Sequence, residues 1–96
     1  MSKFQIIGKT KSSKDILTQH LTNLIQGRLI TIKDELKAIG KDLGELNEKY
    51  QMTDDIFQKK FSQGSLGDDQ DFFTWDASIN LKNKLIDEEA QLRELL

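Results

Sequence analysis

The chain has 96 residues, of which 31% are charged and 36% hydrophobic, and it contains neither proline nor cysteine. A chain of this length predicts one domain with a modest core, which gains stability by pairing with another copy. The composition predicts that the domain is rich in helices. The absence of cysteine excludes a disulfide framework, a thiolate nucleophile and a cysteine-based zinc site. Because no segment approaches ~20 consecutive apolar residues and no signal peptide is recognisable, we expect a cytoplasmic protein without a membrane partner.

The first thirteen residues predict a flexible arm or a short strand. Residues 4–7, FQII, have the composition of a brief strand that ends at Gly8. The net charge of -2 is unevenly divided, because residues 1–45 carry eight basic and five acidic side chains and residues 46–96 carry six and eleven. The basic end either contacts DNA phosphates weakly or is a solvated tail. It consists of Lys3, Lys9, Lys11 and Lys14.

A long helix is predicted from residue 14 to residue 50. Ser12 and Asp15 have the spacing of a capping box, which marks its start. Farther along, apolar residues recur at alternating steps of four and three, the heptad spacing of a coiled coil. A helix of this length spans ~55 Å, so we expect a partner along it. The predicted seam of a homodimer consists of Ile25, Leu29, Ile32, Leu36, Ile39, Leu43, Leu46 and Tyr50.

Two further helices are predicted, at residues 54–62 and 69–94. Thr53 is the expected N-cap of the first, and Gly64 follows its end. The predicted fold class is all-α: a long helical hairpin with a short intervening helix, which dimerises into a helical bundle or coiled coil. The last helix has two adjacent apolar stripes, one of Phe72, Trp75, Ile79, Ile86 and Ala90, the other of Leu81, Leu85, Leu92 and Leu95.

The sequence offers few residues for enzyme chemistry. His20 is the sole histidine, and no nucleophile or second metal ligand lies at helical spacing from it. Phosphate-binding glycine motifs and HExxH are absent. Asp68, Asp69 and Asp71 could bind a hard cation, but their spacing does not fit an EF-hand loop. We therefore expect no catalytic residues, no metal and no cofactor, and a small metal-dependent enzyme is the weakest alternative.

Acidic and aromatic residues crowd together in GSLGDDQDFFTWDAS, residues 64–78. Some of the acids suit the start of a helix, where a carboxylate accepts from free backbone N–H groups. Adjacent phenylalanines diverge by about 100° on a helix, so only one of them can share a face with the tryptophan. The other phenylalanine, ringed by acids, is typical of a contact site for a basic protein, although a small core with acids at its rim is the alternative. The candidate partner-binding residues are Asp68, Asp69, Asp71, Phe72, Phe73 and Trp75.

Residues 49–78 resemble a motif of small prokaryotic proteins that are often encoded beside toxin genes and classed as antitoxins of toxin–antitoxin modules. The motif has a Lys-Tyr-x-Met start, a Phe-x-x-x-Phe helix, a Gly-x-Leu-Gly-Asp-Asp turn and an Asp-Phe-Phe-x-Trp helix, in that order. The resemblance implies an intracellular binding module that neutralises a toxin, for example a ribonuclease, and contacts its own promoter DNA. The matching residues are Lys49, Tyr50, Met52, Phe57, Phe61, Gly64, Leu66, Gly67, Asp68, Asp69, Asp71, Phe72, Phe73 and Trp75.

The main alternative function is a structural coiled-coil adaptor with no toxin partner. In that interpretation the Asp-Phe-Phe-x-Trp segment only closes the hairpin, and the heptad seam carries the oligomerisation. The position of Phe73 separates the two functions, because a phenylalanine buried in the hairpin favours the adaptor.

Overall fold

The computed structural model describes residues 12–96, which form three α-helices and no strand. In chain order, α1 spans Ser13–Tyr50, α2 spans Asp54–Ser62 and α3 spans Gln70–Glu94. The predicted order of a long, a short and a long helix is therefore confirmed. The strand expected at residues 4–7 and the lysines at positions 3, 9 and 11 lie outside the described residues.

Helix α1 begins at the predicted capping box. The backbone N–H of Asp15 donates to the Ser12 hydroxyl at 3.2 Å, and the Ser12 N–H donates to the Asp15 carboxylate at 3.4 Å. The helix then continues without a break through Gly27, Gly40 and Gly44, each of which faces open space. Between residues 12 and 96, no helix is both long enough and apolar enough to cross a membrane.

Two left-handed residues end the first two helices. Gln51, with φ 54°, caps α1, and the Met52 N–H donates to the Asn47 carbonyl at 3.2 Å. Gly64, with φ 71°, follows α2, and the Ser65 N–H donates to the Lys60 carbonyl at 3.1 Å. Left-handed backbone favours glycine, which makes Gln51 the more strained of the two. These turns reverse the chain and bring α3 back along α1.

Helices α1 and α3 pack side by side and antiparallel. Near the turn, Lys49 and Tyr50 both donate to the carboxylate of Asp71. Farther along, the Arg28 guanidinium donates to both carboxylate oxygens of Glu88, at 2.7 and 2.9 Å. Position 50 of α1 therefore lies beside position 71, and position 28 beside position 88, so the helices run in opposite directions. The molecule is elongated, with principal extents of 70 × 21 × 18 Å.

The heptad seam of α1 packs against the chain's own helices. Leu29, Ile32 and Leu43 are buried within the single chain, and the other five seam residues are half-buried. Leu43 belongs to a core with Phe57, Trp75 and Ile79 of the other two helices. The seam thus closes the hairpin, whereas its spacing predicted a contact with a second copy. Heptad spacing shows that a helix needs a partner, and a helix of the same chain meets that need as well as another chain does.

The buried face of α3 combines the two predicted stripes. Trp75 and Ile79 come from one stripe and Leu85 from the other, and all three are buried. Ile86 and Leu81, which the stripes also included, remain exposed. At 100° per residue, Trp75, Ile79 and Leu85 fall within an arc of about 120°, so they form one broad buried face of α3, which α1 covers.

We predict that Ile32→Ala lowers the free energy of unfolding by about 2–5 kcal/mol, because it leaves a cavity at a completely buried position. Ile30→Ala is the matched control, since Ile30 lies two residues away on the exposed side of α1 and its change should stay within about 0.5 kcal/mol. Urea unfolding followed by circular dichroism measures both. Equal losses in the two variants would show that α3 does not cover Ile32.

Candidate functional site

The tip of the hairpin, which we define as residues 51–76, is built around a stack of aromatic rings. The rings of Phe57 and Trp75 are parallel to within 4°, their centroids lie 4.0 Å apart, and both side chains are fully buried. Tyr50 packs against Trp75, and Phe72 packs against Phe57. The ring centroids of Tyr50 and Phe72 are 5.1 Å apart. The stack joins one residue or more from each helix, so it fixes the position of α2 and of the first turns of α3.

Asp54, at the start of α2, ties the same three helices together by hydrogen bonds. Its Oδ1 accepts from the indole Nε1 of Trp75 at 2.9 Å and from the side-chain amide of Asn47 at 2.9 Å. The Asn47 amide also donates to the Met52 carbonyl at 2.9 Å. The indole N–H is therefore satisfied although the ring is buried, which is the condition for placing a tryptophan in a core.

Asp71 forms a second polar junction, between the start of α3 and the end of α1. Its carboxylate accepts from the Tyr50 hydroxyl at 2.6 Å and from the Lys49 ammonium at 2.7 Å. Donation from Lys49 and Tyr50 to the carboxylate lowers the pKa of Asp71. The same hydrogen bonds to Asp71 raise the pKa of Lys49 and that of Tyr50. Asp71 therefore holds α3 to the end of α1.

The remaining predicted acids have separate positions. Asp69 is the N-cap of α3, and its Oδ1 accepts from the Asp71 N–H at 2.8 Å. Asp68 is exposed and makes no side-chain hydrogen bond or ion pair within residues 12–96. The three aspartates do not converge on a common point, and this part of the chain has no group of three or more His, Cys, Asp or Glu side chains placed to hold a metal ion.

The adjacent phenylalanines diverge, as their spacing predicts. Phe72 turns inward to the stack, whereas Phe73 is 51% exposed. The Phe73 ring meets Phe61 of α2 edge to face, with centroids 5.7 Å apart. Of the six candidate contact residues, Trp75 and Phe72 belong to the core, Asp71 accepts from two side chains of α1, and Asp69 caps α3. Asp68 and Phe73 are the two that the fold leaves available to a partner.

Three residues of the tip lie outside the predicted contact set. Asp76 follows Phe73 by three positions, so both lie on one face of α3, and this spacing could have identified it. Phe61 of α2 supports the Phe73 ring edge to face. Asp54 is the acceptor for the indole of Trp75, 21 residues away, and no local sequence signal marks such a pair.

Comparisons with models of protein families, with curated proteins and with solved structures found no match for this chain.

We predict that Asp71→Asn destabilises the fold in a pH-dependent way. Because the folded protein lowers the pKa of Asp71, its stabilising effect is present above the ordinary carboxyl pKa and is lost as the pH falls through the lowered value. The urea midpoint of the variant should therefore lie below that of the original chain at neutral pH, and the difference should shrink as the pH falls below the ordinary carboxyl pKa of about 3.9. Fluorescence of Trp75, the single tryptophan, reports the unfolding.

Asp68→Asn is the control for this pH series. It makes the same chemical change three residues away, at a carboxylate without a side-chain partner among the described residues. Its midpoint should follow that of the original chain across the series. If the difference in urea midpoint between Asp71→Asn and the original chain stays constant with pH, the Asp71 carboxylate does not stabilise the fold through its charge.

Proposed function

We propose that the chain is a non-catalytic, antitoxin-like protein of the cytoplasm that binds and blocks a basic partner protein through the tip. The observation that carries this proposal is the position of Phe73, half-exposed on a rigid support and accompanied by carboxylates. Asp76 follows Phe73 by three positions on the same face of α3, and the exposed Asp68 lies just before the same helix. An aromatic anchor with charges around it is the usual form of an interface hot spot.

The charge of the tip supports a basic partner. Between residues 51 and 76 there are six aspartates and two lysines, which gives this segment a net charge of -4 in a chain whose total is -2. An acidic surface of this kind steers a basic protein towards it and disfavours acidic partners by repulsion. A nuclease cleft, which is basic because it binds nucleic acid, is a partner surface of the right sign.

The tip is also preorganised for binding. Phe72 and Trp75, on either side of Phe73 in sequence, are packed into the aromatic stack, and the Asp69 cap fixes the first turn of the same helix. The edge-to-face contact with Phe61 restricts the rotamer of the Phe73 ring itself. A side chain held in this way loses little conformational entropy when a partner covers it, so more of the contact energy appears as affinity.

A structural adaptor is the second candidate, and one observation favours it. Most of the acidic and aromatic motif has a complete role inside the fold, since Trp75, Phe72 and Asp71 close the hairpin. In the adaptor, Phe73 and its flanking acids are the rim of that core and have no partner of their own. The two candidates therefore differ in whether the exposed face of Phe73 is used.

Binding is tested with the purified product of a basic reading frame adjacent to the gene, by calorimetric titration and by rescue of growth in cells that express that product. We predict that Phe73→Ala weakens binding at least ~30-fold, the equivalent of about 2 kcal/mol for a hot spot. Growth rescue should fail in parallel. Asp76→Asn should weaken binding less, because Asp76 is a half-buried residue beside the aromatic anchor, and its effect should fade as added salt screens the charge.

Ile56→Ala is the matched control, because Ile56 is an exposed apolar residue of the same tip on α2. It should bind and rescue like the original chain. Circular dichroism and Trp75 fluorescence verify that each variant is folded. If the folded Phe73→Ala variant binds and rescues normally, or if the original chain does not bind the neighbouring product, the adaptor replaces the antitoxin-like function.

A further inference from the structure

The first turns of α1 extend beyond α3 and expose an apolar face. We call residues 13–24 the overhang. Leu17, Leu21 and Leu24 recur there at helical spacing and are 59%, 50% and 70% exposed. Ile16 lies beside them and is also exposed. Helix α3 ends at a groove of about 400 Å³ that adjoins the overhang and is lined by Gln26, Leu29, Ile30 and Lys33 of α1 and by Arg93 and Leu96.

After Asp15, the overhang lies in a stretch of α1 without charge. From Ile16 to Gly27 there is no Asp, Glu, Lys or Arg, whereas ten of the 23 residues from Arg28 to Tyr50 are charged. The solvent-facing side of a helix usually carries charged residues. Charged residues are depleted in the centres of protein interfaces. The composition of the overhang therefore matches a surface that becomes buried against another apolar surface.

The pattern of apolar and polar residues from position 16 to position 25 is nearly palindromic. Ile16-Leu17 at one end corresponds to Leu24-Ile25 at the other, with polar residues at positions 18, 19, 22 and 23 between them. When two identical helices pair antiparallel about an axis between residues 20 and 21, Leu17 of one copy lies opposite Leu24 of the other. A twofold interface requires this self-complementarity, since each residue must suit its counterpart in the other copy.

We propose that the overhang is a self-association surface, on which the overhangs of two copies pair antiparallel. The fold already favours this direction, because α3 lies antiparallel on the neighbouring stretch of α1 and ends at the overhang. The overhang of a second copy continues the line of α3, and its leucines cover Leu17, Leu21 and Leu24. The contact does not involve the tip. The heptad seam of α1 stays packed against the other helices of its own chain.

Sedimentation equilibrium over a range of concentrations tests the proposal. The original chain should have twice its mass of 11.0 kDa. Leu21→Glu places a charge near the twofold axis and should raise the dimer dissociation constant at least 100-fold, which gives a monomer. Added salt should not weaken the original dimer, because the contact is apolar, and this distinguishes it from an ionic association.

Leu81→Glu is the matched control, since Leu81 is an exposed leucine of α3 that the proposed contact does not use. It should remain a dimer. Trp75 fluorescence, which reports from the opposite end of the molecule, should be unchanged in both variants and so exclude unfolding. A monomeric original chain, or a Leu21→Glu variant that still dimerises, overturns the proposal; a monomer destabilised by Leu21→Glu would indicate that the chain covers its own overhang.

The direction of pairing is tested by oxidative cross-linking, because the chain contains no cysteine of its own. The Leu17→Cys and Leu24→Cys chains are oxidised separately and as a mixture. Antiparallel pairing predicts a disulfide-linked dimer chiefly in the mixture. Efficient linking of each variant to itself would indicate parallel helices and overturn the proposed arrangement.

Discussion

The hairpin depends on the burial of Trp75 between α1 and α2. The ring stacks on Phe57, and its N–H is satisfied by Asp54, so the largest side chain of the protein is buried without an unpaired polar atom. Aromatic pairs of this kind contribute about 0.5–1.5 kcal/mol beyond the area that they bury. Because Asp54 also accepts from Asn47 of α1, one carboxylate positions all three helices. The short helix α2 therefore holds the two long helices together.

Much of this architecture was accessible from the sequence because its signals are local. The Ser12–Asp15 box, the Thr53 cap and Gly64 each act within a few residues, and all three occupy the positions that their chemistry predicts. The identity of the seam's partner is a nonlocal property. Leu43 and Ile32 have the same spacing whether a second copy or α3 covers them, and only the three-dimensional position of α3 decides.

The candidate site shows the same division between local and nonlocal information. The divergence of Phe72 and Phe73 follows from the 100° step of a helix, and the structure has one ring inside and the other half-exposed. The roles of the acids could not be assigned in this way. Asp71 and Asp69 are close in sequence and alike in type, but one accepts from Tyr50 across the hairpin and the other caps its own helix. The sequence therefore predicted more carboxylates for partner binding than the structure leaves available.

The tip and the overhang lie at opposite ends of an elongated molecule, which restricts how they can act together. If both proposed contacts form, antiparallel pairing of the overhangs places the two tips at the far ends of the dimer. A single small partner then cannot reach both tips, so dimerisation adds no affinity through simultaneous binding. It also leaves the acidic surface around Phe73 uncovered. The two contacts are therefore energetically independent, and each can be removed by substitution without loss of the other.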